Sequence, residues 1–222
     1  MKTKQVSILQ EVMELQNHQQ MSQGMSSQPN MGSQANTRNH SAHEMMDTHE
    51  VIGSLIGMLE QYQLYDQHIQ DTQLKNILQR QSAFTTQLYN TVIGVFQTGR
   101  DPQVPTQEYK MQESNEVIYG LKPGQPKQPK QTVNELTDEC YSSFMLGQTK
   151  TVATGMTTAA LEMNQPVLRR VIADSIPNML EMAYELFLYQ NKHGYYQLPK
   201  LSDQDTQMME QGYAPAGQQG MH

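Results

Sequence analysis

The feature that most constrains the fold is an apolar, aromatic segment near the end of a polar chain. Residues 164–199 read NQPVLRRVIADSIPNMLEMAYELFLYQNKHGYYQLP. A polar cap at Asn164, a proline at the first helical position and the stop residues Gly194 and Pro199 predict the bounds of a helix. Apolar residues recur inside it at three- and four-residue spacing, which places them on one face: Leu168, Ile172, Ile176, Met179, Ala183 and Phe187. A helix with one apolar face requires partners, so we expect further helices.

Two such helices are predicted between residues 41 and 99. The segment from Ser41 to Glu44 matches a capping box, in which serine and glutamate satisfy each other's free backbone N–H groups. A heptad-like seam follows it: Val51, Leu55, Met58, Tyr62, Tyr65 and Ile69. Asp71 caps the second helix, which ends at Gly99 and has its own apolar set: Leu74, Ile77, Phe84, Leu88, Val92 and Val95. The short link between the two predicts antiparallel neighbours.

A proline-rich connection separates these helices from the rest of the chain. Residues 99–131 contain LKPGQPKQPKQ and cannot form a continuous helix. A third helix is predicted over Val133–Met163. A connection of about 30 residues is much longer than ordinary bundle loops, so it indicates a crossover from one end of a bundle to the other. The prediction is therefore an all-α fold: a ferritin-like antiparallel four-helix bundle over residues 41–199, with a long crossover between helices 2 and 3.

Composition limits the remaining segments and several classes of function. Residues 1–40 and 200–222 are rich in Gln and Met and poor in branched apolar residues, so we expect two disordered tails. A net charge of −7 argues against a nucleic-acid partner, which favours a basic face. No signal-peptide pattern and no membrane-length apolar run are recognised, so we expect a chain made in the cytoplasm without a membrane span. The single cysteine excludes an intramolecular disulfide.

The expected bundle invites a test for a di-metal carboxylate centre. Such a centre takes a Glu from two helices and a Glu-x-x-His motif from each of the others. The sequence contains no Glu-x-x-His, and no acidic residue lies between Leu74 and Phe96 of the second helix. A different cluster at the start of the first helix could hold a divalent ion: His40, His43, Asp47, His49 and Glu50. A solvated first turn that complements the helix dipole is the favoured interpretation.

The other reactive residues also favour structural roles. Cys140 is predicted to be a buried thiol on an inward track with Val133, Leu136 and Phe144, since Asp138 and Glu139 oppose thiolate formation. A tyrosine-rich group either packs the rim of the bundle or takes part in oxidative coupling: Tyr184, Tyr189, Tyr195 and Tyr196, with Lys192 and His193 nearby. No catalytic, cofactor-binding or metal-binding residue is predicted, and the chain is not expected to be an enzyme.

A family resemblance rests on three pieces of sequence. His49-Glu50, the Glu-x-Tyr pattern of the first helix and above all MAYELFLYQNKHGYYQLP resemble the Coat F domain of spore coat protein F and its relatives in endospore-forming bacteria. The resemblance covers most of residues 43–198 and is most specific from Asn178 to Pro199. It implies a ferritin-like bundle, located in the spore coat or associated with the spore, with no established catalytic residues. Other spore coat proteins are the implied partners, and a homo-oligomer is an open alternative.

Three hypotheses follow. The first is a structural protein of a multilayer shell, cross-linked there through tyrosines or through glutamines with Lys127 and Lys130. The second is a ferritin-like metal-binding oxidoreductase with non-standard ligands: Glu50, Glu60, Glu139 and Glu181. The third is a helical adaptor whose exposed Met and Gln side chains recruit other proteins.

Overall fold

The computed structural model describes residues 39–216, and this part of the chain is all-helical. Its helices are α1 (Ala42–Asp66), α2 (Thr72–Thr98), α3 (Asp138–Glu162), α4 (Pro166–Lys192) and α5 (Asp203–Glu210), with a 3₁₀ turn at Val133–Glu135. Within the same range the β structure is limited to one isolated bridge, between Tyr119 and Leu198. The all-α prediction is confirmed. The tail predictions for residues 1–38 and 217–222 lie outside the described residues.

Helices α1 to α4 pack side by side, each against two neighbours: α1 and α4 both contact α2 and α3. At one end, here called the corner end, the start of α1 meets the corner between α3 and α4, because the Glu44 carboxylate accepts the backbone N–H of Asn164. The end of α2 lies there too, since the Gln165 side chain donates to the Gly99 carbonyl. The opposite end joins Asp71 to Asp138. Helices α2 and α3 therefore run in the same direction.

The connection between α2 and α3, residues 99–137, consequently spans the length of the helical assembly; we call it the crossover segment. It carries no helix apart from the 3₁₀ turn. Within residues 39–216, none of the helices combines the length and the apolar character that a bilayer crossing requires.

The core follows the predicted seams, with one shift in α4. All six seam residues of α1 and its following loop are buried, including Leu55, Met58 and Tyr62, which have no exposed area. In the second half of α4 the apolar side chains Met182, Leu186 and Tyr189 are fully buried, whereas Ala183 and Phe187 are only partly buried. This helix is covered by α2, α3 and the crossover segment, so its buried face is wider than a single three-four stripe.

Two helix boundaries differ from the predictions, and one further helix is present. Helix α3 begins at Asp138 rather than Val133, because the extended backbone of Leu136 and Thr137 separates it from the 3₁₀ turn. The Asp138 carboxylate accepts the backbone N–H groups of Gln70 and Asp71, both at 3.0 Å. Helix α4 is capped by Gln165, whose side-chain oxygen accepts from the backbone N–H of Leu168. Part of the C-terminal segment predicted to be disordered forms α5, with Ser202 as its cap.

Candidate functional site: buried polar side chains beneath the crossover segment

Three polar residues of α4 face the crossover segment from within the buried side of the helix. Asn178 and Glu185 are seven residues, about two helical turns, apart and share one face, whereas Asn191 lies in the last turn about 120° around the helix axis and contacts a later part of the crossover segment. Their exposed fractions are 6%, 0% and 4%. A polar side chain so deeply buried is stable only when its hydrogen-bonding groups find partners.

The two asparagines bind the backbone of the crossover segment. The Asn178 carbonyl oxygen accepts from the backbone N–H of Tyr109 at 2.7 Å, and its amide donates to the carbonyl of Gln107 at 3.1 Å. Asn191 accepts from the N–H of Ile118 at 2.7 Å and donates to the carbonyl of the same residue at 3.0 Å. Backbone groups of a non-helical segment lack helical partners, and each asparagine supplies both a donor and an acceptor in their place.

Glu185 lies between the asparagines and holds the segment by a charged group. One carboxylate oxygen accepts from the Arg80 guanidinium at 2.5 Å and from the backbone N–H of Gln112 at 2.9 Å. The other accepts from the Tyr109 hydroxyl, with Gln81 at 3.5 Å. The Glu185 side chain is fully buried and that of Arg80 is 23% exposed. Both carboxylate oxygens are thus engaged, and Arg80 supplies the compensating charge.

The pKa shifts of Tyr109 and Arg80 agree with their hydrogen bonds to Glu185. Burial, together with the hydrogen bond and charge of Glu185, raises the pKa of Tyr109, so the phenol remains a donor. Burial alone lowers the pKa of Arg80, but the hydrogen bond and charge of Glu185 outweigh it and raise that pKa overall. Arg80 remains a cation beside the carboxylate.

The network continues into the centre of the core, where each long helix contributes one polar side chain. The Tyr62 hydroxyl of α1 donates to the Gln81 side chain of α2 at 2.8 Å and lies 3.4 Å from the Thr149 hydroxyl of α3. The Gln81 amide donates to the carbonyl of Met182 at 3.0 Å, close to Glu185 of α4. Such a network fixes the relative register of packed helices because a shifted helix would leave a buried group unpaired.

Alkaline titration is expected to report this burial. Burial raises the pKa of Tyr62, Tyr109 and Tyr189, whereas the same groups ionise near pH 10 in the unfolded chain. Their contribution is complete below about pH 10 and is lost at higher pH, since only the unfolded state then releases these protons. Tyrosinate absorbance will show at least these three of the eleven tyrosines ionising only as the fold is lost. Reversible titration of all eleven in the folded protein would contradict this account.

Removing an asparagine is expected to loosen the crossover segment. Asn178→Ala and Asn191→Ala each remove the side-chain partner of a backbone N–H and a backbone carbonyl of the crossover segment, which costs about 1 kcal/mol of unfolding free energy. Hydrogen exchange will accelerate locally, at Tyr109 for the first variant and at Ile118 for the second. Asn90→Ala, at an exposed position of α2, is the matched control and should change neither quantity. Exchange that stays slow in both α4 variants would refute the anchoring role.

The predicted cluster at the start of α1 is divided in the structure. His40 contacts the Glu44 carboxylate and lies 3.2 Å from the Phe96 carbonyl, while His49 packs its ring edge against Phe96. His43 and Glu50 are exposed. Across residues 39–216, no three His, Cys, Asp or Glu side chains are grouped so that they could hold a metal ion.

The prediction of a buried Cys140 is wrong. The thiol is only partly buried, 3.8 Å from the Thr137 hydroxyl, and its predicted neighbours Val133 and Phe144 are 61% and 42% exposed. The cause is the later start of α3, which leaves residue 133 outside the helix and removes the inward track.

The remaining predicted residues are spread over the surface and the end of the bundle. Tyr189 is buried and packs against His193 with ring centroids 4.3 Å apart, whereas Tyr196 lies beneath Lys150. The hypothetical non-standard ligands do not converge on one place. Glu50 and Glu60 are exposed, and Glu139 is paired with Lys127. Within residues 39–216, Glu181 belongs to no group of three or more His, Cys, Asp or Glu side chains that could hold a metal ion.

Sequence reasoning missed the three buried polar residues of α4 and the long-range role of Glu44. Asn178 and Glu185 stand among apolar residues, and periodicity analysis passed over them as interruptions. A usable signal was present: Asn178 and Glu185 are polar residues two turns apart on an otherwise apolar helix face, in a chain with a long non-helical segment to cover it. Such a pattern predicts side chains that bind the backbone of that segment.

Comparisons with known proteins agree with one another. The Coat F domain family matches residues 137–199, which include α3 and α4. The spore coat protein F-like protein YhcQ of Bacillus subtilis (strain 168) is 43% identical over 191 residues, covering 81% of this chain and 88% of YhcQ. A solved structure from Bacillus halodurans C-125, with a provisional spore-coat assignment, aligns with a TM-score of 0.53 at 12% identity, covering 74% of this chain and 96% of that one.

Proposed function

The chain belongs to the Coat F domain family of spore coat protein F-like proteins, and from this premise we propose that it is a structural component of the spore coat. Its role would be to take part in assembling the protein shell, with other spore coat proteins as partners. The proposal includes a ferritin-like four-helix bundle, supported by the order of the helix contacts and by the parallel course of α2 and α3.

One observation carries the non-catalytic part of the proposal. In ferritin-like di-metal proteins the carboxylates in the middle of the core are metal ligands, whereas Glu185 is bound by Arg80, Tyr109 and Gln112. A guanidinium supplies the positive charge that a metal would provide, and the carboxylate holds a loop in place. The geometry favours a rigid building block over a reaction centre.

The exposed surface fits a role in a shell. The Pro-rich part of the crossover segment, residues 121–131, is exposed throughout and carries Lys127 and Lys130 among glutamines. We propose that cross-linking of the mature coat, if it includes this chain, takes place there rather than at the buried Tyr189.

The test is the location and extractability of the protein in mature spores. A tagged chain expressed from its own promoter should appear with the isolated coat fraction and resist extraction by mild buffer. A strain that lacks the gene is complemented either with the wild-type chain or with Glu185→Gln. Comparison of the two complemented strains separates a defect in folding from a defect in coat assembly. Recovery of the whole protein from the spore core, or its complete release by mild buffer, would overturn the proposal.

A further inference from the structure

Helix α5 lies on the surface and exposes apolar side chains to solvent. All eight of its residues are exposed, with Met208 and Met209 at 62% and 64%. Tyr213, just after the helix, is 89% exposed. A helix of eight residues is marginal alone in water, so a surface that covers the two methionines would stabilise it.

The segment that contains α5, residues 201–213, carries only negative charges. It contains Asp203, Asp205 and Glu210 and no Lys or Arg. Asp203 lies 3.7 Å from Lys200, which precedes the segment, and the Asp205 carboxylate accepts from the Ser202 hydroxyl at the cap. The segment is therefore an acidic, methionine-bearing helix.

A cleft of matching character lies where the crossover segment meets the end of α4. It has a volume of about 450 Å³, and Lys122, Lys192 and His193 line it, whereas no aspartate or glutamate does. Ile118, Tyr119 and Leu121 supply apolar walls and are 45%, 61% and 68% exposed. We refer to these six residues as the basic cleft. An exposed apolar strip bordered by cations is typical of a surface that binds a partner.

The basic cleft has a fixed shape. The Asn191 side chain holds both backbone groups of Ile118, and the N–H of Gly120 donates to the Leu198 carbonyl at 2.8 Å. The Gln197 side chain accepts from the N–H of Lys122 at 2.5 Å. Because these bonds set the walls in advance, little ordering would be needed on binding.

From this complementarity we propose that the basic cleft binds α5 of a second copy of this chain. The carboxylates of Asp203, Asp205 and Glu210 face Lys122, Lys192 and His193, and Met208 and Met209 pack against the apolar walls. The two surfaces are different patches of the same molecule, so the contact is heterologous. Each copy offers one helix and one cleft, and repetition of the contact gives an open chain or a ring.

The contact is expected to be weak for one pair of molecules. A helix of eight residues buries far less than the roughly 1,200 Å² of a standard interface. Association should therefore be visible at high protein concentration and should weaken with salt, since charge pairs at a rim are screened.

Sedimentation of the full chain over a range of concentrations provides the test. At low salt the weight-average mass is expected to rise with concentration above the monomer value of 25.3 kDa. The variants Lys122→Glu/Lys192→Glu and Asp203→Lys/Asp205→Lys should each remain monomeric. Mixing the two should restore association, because the negatively charged cleft of the first variant then faces the positively charged α5 of the second.

Matched variants keep the test specific. Lys110→Glu/Arg169→Glu makes the same change in net charge at exposed cations outside the cleft and should associate like the wild type. Circular dichroism of each variant verifies that the four long helices are intact. Met208→Ser/Met209→Ser should also abolish association, whereas Met45→Ser/Met46→Ser, on α1, should not.

Three results would overturn the proposal. One is a wild-type chain that stays monomeric at every concentration. This result includes the case in which α5 docks in the basic cleft of its own chain. Another is association that both charge-reversed variants retain. The third is failure of the two variants to associate when mixed while each is folded. None of these results bears on the location of the protein in the spore, so the two proposals fail independently.

Discussion

Replacing Glu185 by glutamine is expected to lower the free energy of unfolding by about 3 kcal/mol. The change removes the negative charge opposite Arg80 while leaving the guanidinium in its partly buried place. It also weakens the acceptor for the Tyr109 hydroxyl and for the backbone N–H of Gln112. Chemical unfolding measures the stability loss, and hydrogen exchange should show faster exchange at Gln112 in the crossover segment.

A nearby carboxylate provides the control for this experiment. Glu181→Gln alters the same helix one turn earlier, at a partly exposed position, and should change stability by less than about 0.5 kcal/mol. The double variant Arg80→Met/Glu185→Gln should lose less than the two single variants together, because both charges leave the core. If Glu185→Gln and Glu181→Gln proved equally harmless, Glu185 would not hold the crossover segment.

Replacing Glu44 by alanine is expected to destabilise the corner end by about 3 kcal/mol. One oxygen of this fully buried carboxylate accepts the backbone N–H groups of Asn164 and Gln165, both at 2.5 Å. The other oxygen contacts the His40 ring. Without the carboxylate, two N–H groups at the corner between α3 and α4 lose their acceptor. Thermal unfolding should show the loss, and the amide of Gln165 should exchange faster.

Glu50→Ala gives the comparison for Glu44, since Glu50 is an exposed residue less than two turns further along α1. Its effect should lie within about 0.5 kcal/mol. Slow exchange of Gln165 in Glu44→Ala would show that the corner is held by other groups.

The sequence predicted what depends on neighbouring residues. The seam from Val51 to Ile69 and the cap at Asp71 are local patterns, and the structure buries the first and confirms the second. Half of the capping box is also confirmed, because the Ser41 hydroxyl accepts from the N–H of Glu44. The Glu44 side chain, however, turns away to the α3–α4 corner. Its partners there are 120 and 121 residues distant, and periodicity carries no information about such contacts.

The same limit explains the other differences. The groups that bind Glu185 come from α2 and from the crossover segment, up to 105 residues away in the chain. The prediction of a buried Cys140 depends on a helix that starts at Val133, whereas α3 starts at Asp138, whose carboxylate makes a long-range contact with the N–H of Asp71. Helix α5 was missed because its composition resembles that of the tail around it. Its signal was the cap at Ser202 followed by acidic residues.

We propose that Glu185 stabilises the crossover segment and binds no metal. Elemental analysis of the purified full chain, produced with added iron and manganese, distinguishes this role from that of a metal ligand. We expect far less than one metal ion per chain, with no difference between wild type and Glu185→Gln. About two iron or manganese ions per wild-type chain, lost in Glu185→Gln, would refute the proposed role and support the oxidoreductase hypothesis.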